Sequence, residues 1–308
     1  MESKIAVVTG ATGMLAIALI NRLVKEGYHV YAVVRPNTAR IKNVPSSEKV
    51  TVVECDLTDI QELPELINER CDAFYHFAWD STYGSARNDM MAQVKNIQAA
   101  IGAVFSAEKL GCKVFLGAGS QAEYGRCEHT ISPSTPTFPE NGYGMAKLCA
   151  AQMTRVMCKQ RGIKHIWCRI FSTYGPYDGD QTMVASGIIK MLRKERPQYT
   201  KGEQQWDYLY CDDAAKAFYL AAEKGKDGSI YCVGSGKTRQ LKDYILAIRD
   251  AIDPELEVGI GEIPYFENQV MYLCADISDL TKDTGYYPEY SFEEGIKATV
   301  EYFKSRGC

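Results

Sequence analysis

The sequence predicts an α/β fold built on a doubly wound parallel sheet. Short, wholly apolar runs alternate with segments in which apolar residues recur at helical spacing, as expected of buried strands joined by helices. The first run, residues 5–8, is followed by a Gly-rich turn and then by a helical pattern carrying Leu15, Leu19 and Leu23. Repeated strand–helix–strand units of this kind indicate a parallel sheet.

The other elements follow in chain order. Further strands are predicted at 29–34, 50–54, 73–77, 113–117 and 163–170. The longest helical pattern covers 89–109. After Arg169 the chain becomes rich in Gly, Pro and Tyr, apart from one helical pattern at 184–195, and a final helix and strand return to the sheet. We therefore expect a first domain at 1–170 with a return segment at 207–234, and a smaller C-terminal lobe at 171–206 and 235–308.

Composition narrows the possible functions. The 308 residues carry a formal net charge of −4 with the two signs interspersed, so no basic surface for nucleic acid is predicted. No apolar run approaches the length needed to span a membrane. The 11 Cys are scattered without a C-x-x-C pair, and none of the four His has metal-ligand spacing, so no metal site is predicted. Unpaired thiols and an N-terminus without a signal-peptide pattern predict a cytoplasmic protein.

The first strand–helix turn, TGATGMLA (9–16), is a candidate dinucleotide-binding turn of the Rossmann type. Glycines let the backbone approach a pyrophosphate, and a helix N-terminus favours negative charge. The alternative is a tight turn that binds nothing. The residues predicted to hold the cofactor here are Gly10, Thr12, Gly13, Met14 and Leu15.

The end of the second strand bears on which dinucleotide binds. An acidic residue there would favour NAD, whereas a cation would favour the 2′-phosphate of NADP. Arg35 occupies that place and Arg40 is nearby, so NADP(H) is favoured and NAD(H) remains possible. The alternative is a surface arginine. Asp56 and Leu57, directly after the third strand, are further candidates for the cofactor site. Asp56 either accepts a hydrogen bond from adenine or caps a turn.

Tyr143 and Lys147 are four residues apart and therefore share one helix face. Taken alone this pair is weak evidence, because a solvated Lys beside a half-buried Tyr is the usual interpretation. Its weight depends on the other motifs of the chain.

Seven motifs occur in an order that resembles the extended short-chain dehydrogenases/reductases, and more narrowly the NAD-dependent epimerase/dehydratase family. That family acts on nucleotide-diphosphate sugars, and the resemblance covers nearly the whole chain. The motifs are TGATGMLA, CDL (55–57), HFA (76–78), Ser120 before EYG (123–125), Tyr143-x-x-x-Lys147, YGP (174–176) and DYLYCDD (207–213). The resemblance implies that the first domain binds the dinucleotide and that the C-terminal lobe binds the substrate.

The resemblance also implies roles for single residues. Tyr143 would be the general acid/base, Lys147 would hold the nicotinamide ribose and lower the pKa of Tyr143, and Ser120 would bind the reacting oxygen. Bringing a free Tyr from a pKa near 10 to about 7 needs roughly 4 kcal/mol of anion stabilisation, which an adjacent ammonium and an oxidised nicotinamide can provide. Phe77 and Ala78 would line the cofactor, and Gln121 would contact substrate.

Several matched positions leave two interpretations open. His76 is either part of the cofactor wall or a core histidine, with the core favoured. Asn96 either supports the active-site backbone or is an ordinary polar helix position. Asp212 and Asp213 are predicted to cap the following helix.

Departures from the family pattern are informative. Ala16 replaces the third Gly of the turn, where only a small residue is needed. Ser172 stands where many relatives have Asn beside a bound diphosphate and is therefore a predicted substrate-binding residue. Trp206 stands where many relatives have Arg. Gln121 and Ala122 stand where 4,6-dehydratases have Asp-Glu, which disfavours a dehydratase. Cations that could replace the missing diphosphate contact are Arg193, Lys194, Arg196, Lys201 and Arg239.

The function predicted from these observations is NADP(H)-dependent reduction of a nucleotide-diphosphate 4-keto sugar, with a 6-deoxyhexose favoured. The alternatives are a sugar-nucleotide 4-epimerase, a reductase of non-nucleotide ketones and a non-catalytic NADP-binding regulator; the Tyr/Lys pair argues against the last. The family commonly pairs two helices across a dimer interface, so we expect a homodimer through helices 89–109 and 143–160.

Overall fold

The computed structural model describes residues 3–267 and 269–307. The strands are β1 (Ile5–Thr9), β2 (His29–Val34), β3 (Val50–Glu54), β4 (Ala73–His76), β5 (Val114–Ser120), β6 (Lys164–Ile170), β7 (Ser172–Tyr174), β8 (Gln198–Tyr199), β9 (Gln205–Trp206), β10 (Tyr208–Tyr210), β11 (Ser229–Val233), β12 (Arg239–Gln240), β13 (Gly259–Ile260) and β14 (Tyr272–Leu273). The helices are α1 (Met14–Lys25), α2 (Leu63–Leu66), α3 (Met90–Lys109), α4 (Gly142–Arg161), α5 (Met183–Leu192), α6 (Cys211–Lys224), α7 (Leu241–Ile252), α8 (Ser278–Thr284) and α9 (Phe292–Ser305).

The main sheet has seven strands in the order β3-β2-β1-β4-β5-β6-β11, and every pair in it is parallel. The doubly wound parallel sheet predicted from the sequence is therefore confirmed. All six predicted strands are present, with β4 ending one residue early at His76 and β5 continuing to Ser120. The chain reverses its direction of winding between β1 and β4. In sheets of this type ligands bind outside the carboxyl ends of the strands at such a switch point.

Helices cover both faces of the sheet because successive residues of each strand point to opposite sides. Val7 of β1 packs in a core with Phe74, Phe115 and the inner face of α3. Ala6 and Val8 point the other way, into a core that includes Leu19 of α1. Burying both faces explains why the strand sequences are continuous apolar runs.

The C-terminal part of the chain forms three small sheets beside the carboxyl end of the main sheet: β7 with β10, β9 with β12 and β14, and β8 with β13. The helical pattern predicted at 184–195 corresponds to α5. β11 pairs with β6 and so returns to the main sheet. The division into a dinucleotide-binding domain and a substrate-binding lobe stays a prediction.

Ten cysteines lie within the described residues, and all are free thiols. Eight are buried, Cys127 is half-buried, and Cys149 on α4 is exposed. The buried thiols pack on both faces of the main sheet. Those beneath α3 and α4 are Cys55, Cys71, Cys112 and Cys158, and those on the opposite face are Cys168 and Cys211.

Residues 3–267 and 269–307 contain neither a helix suited to span a membrane nor a cluster of metal ligands. None of the helices in these ranges combines the length and the apolar character that crossing a bilayer requires. No group of three or more His, Cys, Asp or Glu side chains in the same ranges is placed to hold a metal ion.

Candidate active site

A cleft of about 970 Å³ runs along the carboxyl ends of β1, β4 and β5 and extends to residues 173–182 and to Tyr302 of α9. It brings together the Gly-rich turn and the Ser, Tyr and Lys singled out from the sequence. Predicted site residues that line it are Gly10, Thr12, Gly13, Met14, Leu15, Arg40, Phe77, Ala78, Ser120, Gln121, Tyr143 and Lys147. Among the described residues, four predicted site residues do not line the cleft: Arg35, Asp56, Leu57 and Ser172.

Hydrogen bonds and close backbone packing hold the turn after β1 against the end of β4. Gly10 has φ +70°, and a Cβ at this position would lie 2.8 Å from the backbone nitrogen of Ala78. The Thr9 hydroxyl accepts hydrogen bonds from the backbone N–H groups of Phe77 and Ala78, both at 3.2 Å. Only Gly can adopt this conformation and allow so close an approach of the two backbones. The fold therefore requires Gly at the first position of the motif.

The N-terminus of α1 fits a pyrophosphate. Its N-cap residue, Gly13, provides no side-chain acceptor, and the first turn contains no acidic residue. Met14, Leu15 and Ala16 of that turn line the cleft. Helix N-terminal N–H groups that lack a capping acceptor are donors available to an anion. The residues present therefore fit the dinucleotide predicted from the turn.

The basic side chains that line the cleft are Arg40, Lys42, Arg87, Lys147 and Arg306. Arg40 donates through Nη2 to the Thr12 carbonyl oxygen at 2.8 Å, which places its guanidinium against the turn. Arg35 is exposed just after β2. Arg40 is thus the arginine that the structure brings to the cofactor turn.

Asp56 caps a 3₁₀ helix that begins at Leu57. Its Oδ1 accepts hydrogen bonds from both the backbone N–H and the hydroxyl of Thr58 at 3.0 Å. Of the two roles left open by the sequence, turn capping is the one present in the structure. An adenine contact from Asp56 stays a prediction.

Ser120 is the last residue of β5 and is fixed by a capping box. Its hydroxyl accepts from the Ala122 N–H at 3.2 Å, and its own N–H donates to Oε1 of Glu123 at 2.8 Å. Such reciprocal bonds satisfy free backbone donors at a helix start. Ser120 is therefore held rigidly at the cleft, with its hydroxyl facing Tyr143.

Glu123 is fully buried and is tied to two side chains of β6. Its Oε2 accepts from Nε of Arg169 at 2.7 Å, and its Oε1 accepts from the Trp167 indole N–H at 2.9 Å. The Arg169 side chain is only 2% exposed. A buried carboxylate and guanidinium thus lie directly behind the backbone of Ser120.

Tyr143 lies in the first turn of α4. Asn141 caps this helix, and Asn88 accepts a hydrogen bond from the Gly142 N–H at 2.9 Å. Burial raises the pKa of Tyr143 to about 12, while a hydrogen bond with Ser120 and the nearby charge of Arg87 lower it. The phenol thus needs further stabilisation of its anion before it can exchange a proton near neutral pH.

Lys147 is 3% exposed, and its ammonium donates to the Ala118 carbonyl oxygen at 2.7 Å. The same ammonium lies 3.6 Å from the ring centroid of Trp79 and 5.7 Å from that of Tyr143. Burial lowers the pKa of Lys147 to about 7, and the charge of Glu123 opposes that shift. Its charge is therefore poised to change near neutral pH.

Two positions left open by the sequence have clear environments. His76 is buried and its Nδ1 lies 3.0 Å from the Thr9 hydroxyl, as expected of a core histidine. Burial lowers the pKa of His76 to about 3, so its ring is neutral. Asn96 is buried and bonds both the N–H and the carbonyl oxygen of Asp80 at 2.9 and 3.0 Å. Asn96 therefore supports the backbone that follows β4.

The predicted cap of α6 was wrong in its details. The N-cap residue is Tyr210, which makes no side-chain cap bond, and Asp212 and Asp213 lie in the first turn. Asp213 instead accepts hydrogen bonds from the backbone N–H groups of Glu289 and Tyr290, at 2.8 and 3.0 Å. Its carboxylate thus holds the segment that leads into α9.

The two departures from the family pattern bond to each other. The indole N–H of Trp206 donates to the Ser172 hydroxyl at 2.8 Å. Arg239 pairs with Glu293 at 2.7 Å and stacks on the rings of Tyr244 and Phe292. None of the five cations proposed as replacements occurs among the described residues that line the cleft.

Cleft side chains that were not predicted from the sequence include Trp79, Tyr83, Arg87 and Asp178. Arg87 lies over the ring of Tyr143, with its guanidinium carbon 4.8 Å from the ring centroid. Burial raises the pKa of Asp178 to about 6, and bonds from Thr182 and Gly179 oppose this. Only Trp79, directly after the HFA motif, had a sequence signal that could have identified it.

A Rossmann-type domain whose cleft brings together Ser120, Tyr143 and Lys147 defines an extended short-chain dehydrogenase/reductase. The chain belongs to the NAD-dependent epimerase/dehydratase family, whose model matches residues 6–234. The family predicted from the motifs is therefore confirmed, and with it a class of protein that uses NAD(H).

Curated relatives include sugar-nucleotide dehydratases. The dTDP-glucose 4,6-dehydratase of Shigella flexneri is 28% identical over 56% of this chain and 50% of its own length. A trifunctional UDP-glucose 4,6-dehydratase, epimerase and reductase of Arabidopsis thaliana is 25% identical over 97% of this chain and 47% of its own. The chain thus spans about half the length of these curated relatives.

Solved structures show the same fold. UDP-glucose 4-epimerase of Thermotoga maritima, solved with UDP-glucose, has a TM-score of 0.88 and 22% identity, covering 99% of this chain and 100% of that one. UDP-glucuronic acid 4-epimerase of Bacillus cereus, solved with NAD, has a TM-score of 0.84 and 22% identity, covering 98% and 99%. At this identity the likeness concerns the fold alone.

Proposed function

We propose that the chain is a reductase that transfers hydride from a nicotinamide cofactor to C4 of a nucleotide-diphosphate 4-keto sugar, most simply a 6-deoxyhexose. The observation that carries this proposal is the convergence of Ser120, Tyr143 and Lys147 on one cleft beside a turn that fits a dinucleotide. Reduction of a ketone requires hydride and a proton to arrive at opposite ends of one C=O bond, and this trio supplies the proton end.

The chain's own residues act on the substrate oxygen. The Ser120 hydroxyl binds it and so fixes the carbonyl carbon within reach of the hydride, which the bound cofactor supplies. The Tyr143 hydroxyl donates its proton to that oxygen as negative charge develops. The Lys147 ammonium stabilises the resulting tyrosinate, in a pocket dry enough to strengthen the interaction.

Two features favour reduction over dehydration and epimerisation. The residue after Ser120 is Gln121, an amide without an acidic proton, followed by Ala122, so the cleft lacks at this point the acid–base pair that elimination of water needs. The cations beside the cofactor turn suit NADPH, which is consumed and exchanged in reductions. A 4-epimerase is the second candidate, because the solved structures with the same fold include 4-epimerases.

The test is loss of absorbance at 340 nm with NADPH, then NADH, against a panel of nucleotide-diphosphate 4-keto-6-deoxyhexoses. Oxidation with one nucleotide series supports the reductase and names the base. No oxidation with any keto sugar, together with inversion at C4 of an unmodified sugar nucleotide followed by NMR, would replace the reductase with the epimerase.

The cofactor preference is expected to depend on Arg40 more than on Arg35. Because Arg40 bonds the cofactor turn and lines the cleft, Arg40→Ser removes a cation within reach of a 2′-phosphate. We expect the Kd for NADPH to rise about tenfold, as a charge-assisted bond is worth ~1.5 kcal/mol, and the Kd for NADH to change little. Arg35→Ser is the matched control, and an equal effect of both variants would contradict the assignment. Fluorescence titration measures both constants.

We propose that a second copy of the chain covers α3 and α4. These neighbouring helices expose a set of large apolar side chains, which are Met90, Met91, Val94, Met145, Met153 and Val156. Val94→Lys/Val156→Lys is expected to convert a dimer into a monomer in light scattering, because it places two charges in the apolar contact. Val52→Lys, an exposed position of β3, should leave the dimer intact. A monomeric unmodified chain at working concentration would refute this interface.

A further inference from the structure

We propose that Trp79 is a positioning residue of the active site, which holds the ammonium of Lys147 in place and favours its charged form through contact with the face of the indole. The kinetic test of this inference rests on the proposed function, whereas its fluorescence test needs only the unliganded chain. No motif assigned a role to Trp79, although it directly follows the HFA motif.

The geometry is that of a cation–π contact. The Nζ atom of Lys147 lies 3.6 Å from the ring centroid of Trp79, well inside the roughly 6 Å range of such contacts. Trp is the strongest aromatic partner for a cation, and the attraction grows when the pair is removed from water. Because Lys147 is 3% exposed, the indole face replaces water that burial has removed.

The indole itself is held from behind by α3. Its N–H donates to Oε1 of Gln93 at 2.9 Å, and Gln93 in turn donates to the Ser81 carbonyl oxygen at 3.0 Å. Gln93 is 2% exposed. The Asn96 side chain fixes the intervening backbone at Asp80. Trp79 therefore presents one orientation to Lys147.

Trp79 also contacts the proton donor. Its ring makes an edge-to-face contact with Tyr143, with centroids 6.3 Å apart and planes 86° apart. One side chain thus contacts both members of the Tyr/Lys pair. Loss of the indole would therefore remove a contact from each of these two side chains.

The electrostatic surroundings of Lys147 give this contact a function. Two influences act on the charge of Lys147. Burial opposes the charged ammonium, and the buried carboxylate of Glu123, behind Ser120, favours it. His76, on the β4 side, is neutral at working pH. With the pKa of Lys147 lowered to about 7, a modest attraction decides whether the side chain is charged when the reaction occurs.

The first experiment uses the unliganded chain and its intrinsic fluorescence between pH 5.5 and 9. Charge on Lys147 beside the indole perturbs the emission of Trp79, so we expect a step near pH 7. The step should be absent in Lys147→Met and in Trp79→Phe, and should move to lower pH in Gln93→Leu, which releases the indole. The chain's other tryptophans, Trp167 and Trp206, remain in every variant as a constant background. A step that persists in Lys147→Met, or no step in the unmodified chain, would overturn the proposal.

The second experiment measures kcat against pH in Trp79→Leu and Trp79→Phe. Removing an attraction for the ammonium lowers the pKa of Lys147, so the loss of activity on the alkaline side should begin about one pH unit lower in Trp79→Leu. Trp79→Phe keeps an aromatic face and should lie between Trp79→Leu and the unmodified chain. A role in packing alone would lower kcat equally at every pH and leave the midpoint in place, which would refute the proposal. If no keto sugar is turned over, the proposed reaction fails while the fluorescence result still decides this inference.

Discussion

Replacing Tyr143 with Phe is expected to reduce kcat by about 10³-fold or more, since positioned general acids contribute roughly 10²–10⁴-fold. Phe keeps the ring and therefore its contacts with Trp79 and Arg87, and it removes only the hydroxyl. Without that hydroxyl the oxygen of the reduced ketone has no proton donor in place. The measurement is NADPH oxidation at 340 nm with the substrate found in the panel.

The control for Tyr143→Phe is binding. Because the removed oxygen belongs to the proton-transfer step, the Kd for the cofactor should stay within a few-fold of the unmodified value, and the melting temperature should not fall. A variant that retains more than a tenth of the original kcat would mean that another group donates the proton. Loss of cofactor binding would instead mean that the hydroxyl serves mainly to hold the ribose.

Replacing Glu123 with Gln is expected to cost about 3–5 kcal/mol of the free energy of unfolding, because it leaves the buried Arg169 guanidinium without its counter-charge. The amide can keep the bond to the Trp167 indole N–H but cannot neutralise the charge. Urea unfolding followed by circular dichroism measures the change. Activity should fall as well, because the N–H of Ser120 loses its anionic acceptor.

Two further variants distinguish a buried charge from a general defect of packing. Glu123→Gln/Arg169→Met removes both charges and should recover a large part of the lost stability, as replacing both partners of a buried pair can be nearly neutral. Glu140→Gln removes an exposed carboxylate that pairs with Arg126 at 2.9 Å, and should change stability by less than about 1 kcal/mol. Equal losses in the single and double variants would show that charge burial is not the cause.

The sheet was predictable because most strands of the main sheet are short, largely apolar runs, and the helices between them are strongly periodic. Errors were confined to strand ends, where β5 continues through GAGS to Ser120 although Gly117 and Gly119 would ordinarily end a strand. These glycines are tolerated because the Trp167 ring of β6 lies against both of them: a Cβ on either would come within 2.2 Å of that ring. Such packing depends on a residue far along the chain and leaves no local pattern.

Site residues that belong to sequence motifs could be predicted. Site residues that are placed only by packing could not. Tyr143, Lys147 and Ser120 were found because their spacing and order are specific. Trp79 and Arg87 were missed because they lie in the segment 77–89, which has neither periodicity nor a motif beyond HFA. The environment of Ser172 and Trp206 was beyond prediction for another reason. Ser172 was predicted to bind substrate and Trp206 was interpreted as a lost ligand contact, whereas the structure joins the two by a hydrogen bond.

The reactivity of the buried thiols reports local opening of the core. Burial raises the pKa of Cys55 to about 11 and that of Cys158 to about 12, so neither is a thiolate near neutral pH while the core is closed. A thiol reagent should therefore modify the buried thiols only at the rate at which their surroundings open. Because Cys158 and Cys168 lie on opposite faces of the main sheet, mass spectrometry of labelled peptides would time the opening of each helical layer separately.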